Sequence, residues 1–174
     1  MASPNTTPSG LISFMCWVMH DPTTNRNFHA DEVEVMNQFG LDDATKDQIL
    51  KIGEHHDDSQ GRDLAEQLFD VHLLEPFLEI WTTSIASSVS QPPNKSGWIS
   101  LMYYARYDEA ANITFRGDPS QIMTSFGIME SDAIKNIKKI AQAPGAPAAK
   151  DAAKYIFKTY VVGEFLETKS PKFW

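Results

Sequence analysis

Apolar residues crowd into two matching runs, GLISFMCWVM at 10–19 and GWISLMYYA at 97–105. Each is too short to cross a bilayer, which takes about 20 residues. The second sits in the interior of the chain, where no export signal acts, and no Lys or Arg precedes Arg26. Both predict core helices, the first opening at Ser9 or Gly10 and running to about Met19. DPTTNRN at 21–27 then predicts a break, since Pro and turn formers cluster there.

Punctuation predicts the next elements. Asp31 stands where an N-cap belongs, and Gly40 where a helix ends on a left-handed residue. LDDATKDQILKI at 41–52 opens on acidic residues and spaces Leu41, Ile49 and Ile52 for burial. A long helix is predicted from about Arg62 to Ile80, with a counterpart at about 147–167 that places Ile156, Phe157, Tyr160 and Phe165 on one stripe. The fold class predicted is all-α.

The two halves are copies. Shifted by 87, residues 9–41 match 96–128 at 12 of 33 positions, where unrelated residues would agree at roughly two. Past the middle the register slips by one, so that Leu68-Phe69 meets Ile156-Phe157. The domains predicted are 1–87 and 88–174, two tandem helical repeats of about 87 residues packed as a pseudo-twofold bundle, with SVSQPPNKSG at 88–97 as linker. Phe28, Asp31, Phe39 and Gly40 recur as Phe115, Asp118, Phe126 and Gly127. These read as core and cap positions, and Pro119 after Asp118 suits a first helical turn.

Charge changes this picture. Residues 1–87 hold 4 basic and 15 acidic side chains, net −11, and residues 88–174 hold 11 and 8, net +3, which together make the −8 of the whole chain. Opposite net charge predicts halves that dock on each other. The acidic half argues against nucleic acid, whose phosphates need a basic stripe. Cys16 is the one cysteine of the chain, which excludes an internal disulfide and a structural zinc site and agrees with a reducing cytoplasm.

RNFHADEVEVMNQFGLDDATKDQIL at 26–50, with Phe-x-Ala-Asp, seven residues, and then Phe-Gly-Leu before an acidic helix start, resembles the helical small (alpha) subunit of protocatechuate 4,5-dioxygenase. Leu11, Phe14 and Met19 share the spacing of that family. Similar segments occur in split-borosin peptide precursors, as handles for the modifying methyltransferase. The resemblance implies a helical unit that binds a partner protein. In the dioxygenase, iron and the acid/base residues belong to the other subunit.

Candidate chemistry is sparse. GEHHDDSQGRD at 53–63 offers His55 and His56 as metal ligands beside Glu54, Asp57 and Asp58, yet adjacent side chains cannot all converge on one ion. The matching stretch, AQAPGAPAAK, has no ligand. His20, His29 and His72 align with Tyr107, Arg116 and Tyr160, which suggests packing for the first and last. Cys16 lies in an apolar helix where a thiolate is disfavoured. Met15, Trp17, Met36, Met102, Tyr103 and Tyr104 can line an apolar pocket for a small ligand, or serve simply as core. Phe173 and Trp174 end the chain given, either folded back or exposed as an anchor.

The reading is a non-enzymatic recognition or accessory protein that binds a protein or peptide through a groove between its halves. It needs no cofactor, nucleic acid or membrane, and leaves a homo-oligomer open. The alternatives are an accessory subunit or homologue of an extradiol ring-cleavage dioxygenase, and a small-ligand binder.

Overall fold

A computed structural model describes residues 7–83, 85, 95–166 and 173–174. Among them every regular element is helical, and no helix is long and apolar enough to cross a membrane. The first half runs α1 (Leu11–His20), α2 (Pro22–Ala30), α3 (Glu32–Gln38), α4 (Asp43–Glu54), α5 (Ser59–Leu68) and α6 (Leu74–Leu78). The second runs α7 (Gly97–Tyr107), α8 (Glu109–Gly117), α9 (Pro119–Ser125), α10 (Ser131–Gln142), α11 (Pro147–Ile156) and α12 (Val162–Phe165). Residues 88–94 of the expected linker lie outside the described residues.

The expected break at DPTTNRN is instead a helix. Asp21 accepts from the Thr24 amide at 2.9 Å and Pro22 takes the first helical position. The missing Pro N–H falls where a helix leaves its amides unbonded, so the turn signal is a capped start. Asn25 closes the corner by donating to the Val18 carbonyl at 3.0 Å, as Asn112 does to Ala105 at 2.8 Å.

The repeated glycines and phenylalanines share one device. Gly40 and Gly127 end α3 and α9 at φ 70° and 80°. The carbonyls of Phe39 and Phe126, just before them, accept the amides of Gly10 and Gly97 at 2.8 and 2.9 Å. Each copy thus ties the start of its first helix to the end of its third. Asp31 caps α3 by accepting from the Glu34 amide at 3.1 Å. Asp118 differs: it makes no backbone cap and accepts from the Ser120 hydroxyl at 2.7 Å. The slip in register falls at Met129, an extra residue before α10 that is 70% exposed.

The predicted long helices are each interrupted by a π turn. Leu74 N–H bonds the Phe69 carbonyl and Val162 N–H the Phe157 carbonyl, each reaching back five residues. One additional residue in the turn advances the helix face by a full position. The buried stripe therefore passes from Gly61, Ala65 and Leu68 to Leu73, Phe77 and Ile80 without leaving the core. A 3-10 turn at Glu79–Trp81 ends the first run.

Those stripes join the halves. Phe69 meets Phe157 at 6.1 Å between ring centroids, flanked by Phe77 on Phe157 at 5.2 Å and Phe69 on Phe165 at 5.4 Å. Trp81 packs on Phe115 at 5.2 Å, and Phe173 on Phe28 at 5.3 Å. The end of each half thus fills the core of the other. Phe173 is fully buried, so the tail is docked. The first helices cross with opposed directions: Tyr107 donates to the Ser9 carbonyl at 3.2 Å, and Cys16 bonds Ser100. Arg106 bridges Glu79 at 2.7 Å across the halves. Burial rather than opposite net charge dominates the docking, because one partly exposed ion pair contributes only about 1 kcal/mol.

Gly97 has a second constraint. It sits at φ 83°, and a Cβ there would lie 2.7 Å from the Glu164 carboxylate, which accepts from the Trp98 and Ile99 amides at 2.7 and 3.0 Å. Gly127, at φ 80°, has open space around it. Gly127→Ala is expected to cost about 1–2 kcal/mol from the left-handed backbone alone. Gly97→Ala is expected to cost more, because it also dislodges Glu164. Urea unfolding of both variants measures the difference.

Candidate functional site

The six residues expected to line a ligand pocket divide. Met15, Met36, Met102, Tyr103 and Tyr104 are at most 2% exposed and belong to the continuous core. They face other side chains because the crossing of α1 over α7 closes the space between the copies. Burial pushes the phenols of Tyr103 and Tyr104, and the thiol of Cys16, above their ordinary ranges. Trp17 alone of the six reaches the surface in part. Its indole N–H donates to the Tyr103 hydroxyl at 3.2 Å, which fixes the ring. It lines a cavity of about 240 Å³, shared with Pro8, Thr24, Asn27, Gln38 and Phe39.

His55 and His56 take different partners. His55 Nδ1 lies 3.0 Å from Asp58, whose carboxylate also caps α5 through the Gly61 amide at 3.0 Å. The His55 bond comes first in holding Asp58 below the usual carboxylate range. His56 Nδ1 lies 2.9 Å from the Gly53 carbonyl, and its ring stacks on Trp174 at 6.1 Å. Both imidazoles hold the α4–α5 turn. Among the described residues no group of three or more His, Cys, Asp or Glu side chains is placed to hold a metal ion.

A groove of about 480 Å³ was not foreseen from the sequence. It runs beside α6, with Val71, Leu74 and Leu78 among its walls, Asp70 and Glu75 on the acidic side, and Lys150 of the second half opposite. Val71, which lines it, is 66% exposed. Leu74 and Leu78 are half-buried beside the stripe of Leu73, Phe77 and Ile80, and Val71 lies within the π turn with its side chain exposed. The signal open to sequence reading was an apolar residue off the stripe, beside two acids.

Asp132 gathers another cluster, accepting from Tyr155 and Tyr160 at 2.6 Å each, while Tyr160 stacks on Trp98 at 5.7 Å. These bonds, Tyr155 first, hold Asp132 below the usual carboxylate range. The cluster joins α10 to the second π turn. Comparison with protein-family models, curated proteins and solved structures finds no match for this chain.

His20 ends α1 with 6% exposure, and neither ring nitrogen has a hydrogen-bond partner. Burial lowers its pKa from 6.5 to about 4. The unfolded chain therefore takes up a proton before the folded one as pH falls. Stability from the neutral ring is full above pH 6.5 and is lost as pH drops towards 4, by about 3 kcal/mol at most. His20→Phe is expected to flatten the stability profile in that window, read by urea unfolding at pH 7, 5.5 and 4.5.

Proposed function

We propose that this chain is a non-enzymatic recognition or accessory protein, made of two tandem copies of one helical unit packed about a pseudo-twofold axis, that binds a protein or peptide partner. The groove beside α6 carries this reading. It places an exposed valine between apolar and acidic walls, with side chains from both halves on its rim. A cationic amphipathic segment satisfies both kinds of wall: its apolar face covers Val71 and Leu74, and its basic residues meet Asp70 and Glu75.

The pseudo-twofold arrangement is supported by contacts that come in exchanged pairs. Phe77 on Phe157 at 5.2 Å answers Phe69 on Phe165 at 5.4 Å, and the two Phe carbonyl tethers differ by 0.1 Å in length, 2.8 against 2.9 Å. The resemblance of 26–50 to the dioxygenase small subunit belongs to the same reading, since that subunit leaves iron and acid/base chemistry to its partner. A cytoplasmic location belongs to the same reading, on the sequence having a single cysteine, Cys16.

The test is affinity purification of the tagged chain from its own cell extract beside the Val71→Lys variant. Val71 is exposed, so the substitution leaves the fold intact. A stoichiometric protein that co-elutes with the native chain and falls at least about tenfold with the variant, a loss of 1.4 kcal/mol or more, is expected. Elution of the chain alone, as monomer or homo-oligomer, overturns the proposal. So does turnover of a substrate by the purified chain that is lost on replacing its histidines.

A further inference from the structure

Residues that line the Trp17 cavity have counterparts in the second half, where the chain's own Lys95 covers the equivalent ring. Tyr104 occupies the place of Trp17, Phe126 that of Phe39, and Lys95 that of Pro8. Lys95 Nζ sits over the Tyr104 ring at 4.8 Å from its centroid, and Tyr104 packs on Phe126 at 5.7 Å. That distance is within cation–π range. In the first half Pro8 carries no ammonium, and a cavity of about 240 Å³ lies among Pro8, Trp17 and Phe39. We propose that the Trp17 cavity binds a lysyl side chain or another primary alkylammonium group supplied by a partner.

Three features make the first-half cavity better suited to a cation than the site Lys95 fills. Tryptophan binds cations more strongly than the other natural aromatics, and the bond from its indole to Tyr103 tethers the ring beside the cavity. Thr24, Asn27 and Gln38 line the cavity with oxygen acceptors where the second half has Ala111, Thr114 and Ser125. The Thr24 hydroxyl donates to Asp21 at 2.7 Å and the Gln38 amide nitrogen to Glu34 at 3.4 Å, so the oxygens of both are left to accept from an ammonium. Thr114 and Ser125 likewise donate, to the carbonyls of Ala110 and Ile122, but neither carries the amide oxygen that Asn27 and Gln38 bring to the first half. The net charge of −11 over residues 1–87 adds a field of the right sign. The cavity shares no lining residue with the groove beside α6, so a failure at either site leaves the other standing.

The experiment titrates the ¹⁵N-labelled full chain with Nα-acetyl-lysine N-methylamide and follows the Trp17 indole and the Thr24 and Val35 amides by NMR. The norleucine analogue, of the same length without charge, is the control. Saturable shifts at these three groups with the lysine probe and none with norleucine are expected. Trp17→Leu should raise Kd about fivefold, the share of a ring–cation contact. Pro8→Lys, which places the chain's own ammonium over Trp17 as Lys95 is over Tyr104, should abolish probe binding without touching the core. Equal shifts with norleucine, no shift with either probe, or unchanged binding in Pro8→Lys would overturn the proposal.

Discussion

Phe69 and Phe157 meet face to edge where the two π-interrupted helical runs cross, with Phe77 and Phe165 closing over them from opposite ends. Each such ring buries about 150–250 Å², and each buries it against the other half of the chain. The apolar faces of α5–α6 and α11–α12 are consequently covered only when both copies are present. Trp81 on Phe115 and Phe173 on Phe28 extend the exchange to the N-terminal helices. A half alone would expose its partner's socket and its own plug.

The polar contacts make that exchange possible by fixing where each helix begins. The Phe39 and Phe126 carbonyls hold the amides of Gly10 and Gly97, and the positive φ at Gly40 and Gly127 turns the chain to bring them there. Asn112 reaches further, donating both to Ala105 in its own corner and to Ile80 at the end of the other half. Identity between the copies concentrates at these positions because each is a place where one side-chain type satisfies backbone geometry.

Away from those positions the two halves differ in the surfaces they expose. The first half is acidic, has an open cavity over Trp17, and presents Val71 beside Asp70 and Glu75. The second half is slightly basic and covers the equivalent aromatic face with Lys95. The proposed recognition role rests on this inequality of surfaces.

Residue spacing alone determined the all-helical class, the cap at Asp31 and the left-handed glycine at Gly40. Each depends on neighbours within a few positions, where hydrogen-bond geometry acts locally. The same local logic mistook DPTTNRN for a break, because a turn signal and a Pro-led helix start are written with the same residues. Which of Met15, Trp17, Met36, Met102, Tyr103 and Tyr104 meets solvent could not be read this way, since all six are equally apolar in pattern. The crossing of α1 over α7 buried five and left Trp17 partly exposed beside a cavity. The π turns were likewise tertiary: an extra residue in a helix is tolerated only where rings from the other half, Phe157 for one run and Phe69 for the other, are there to receive the shifted stripe.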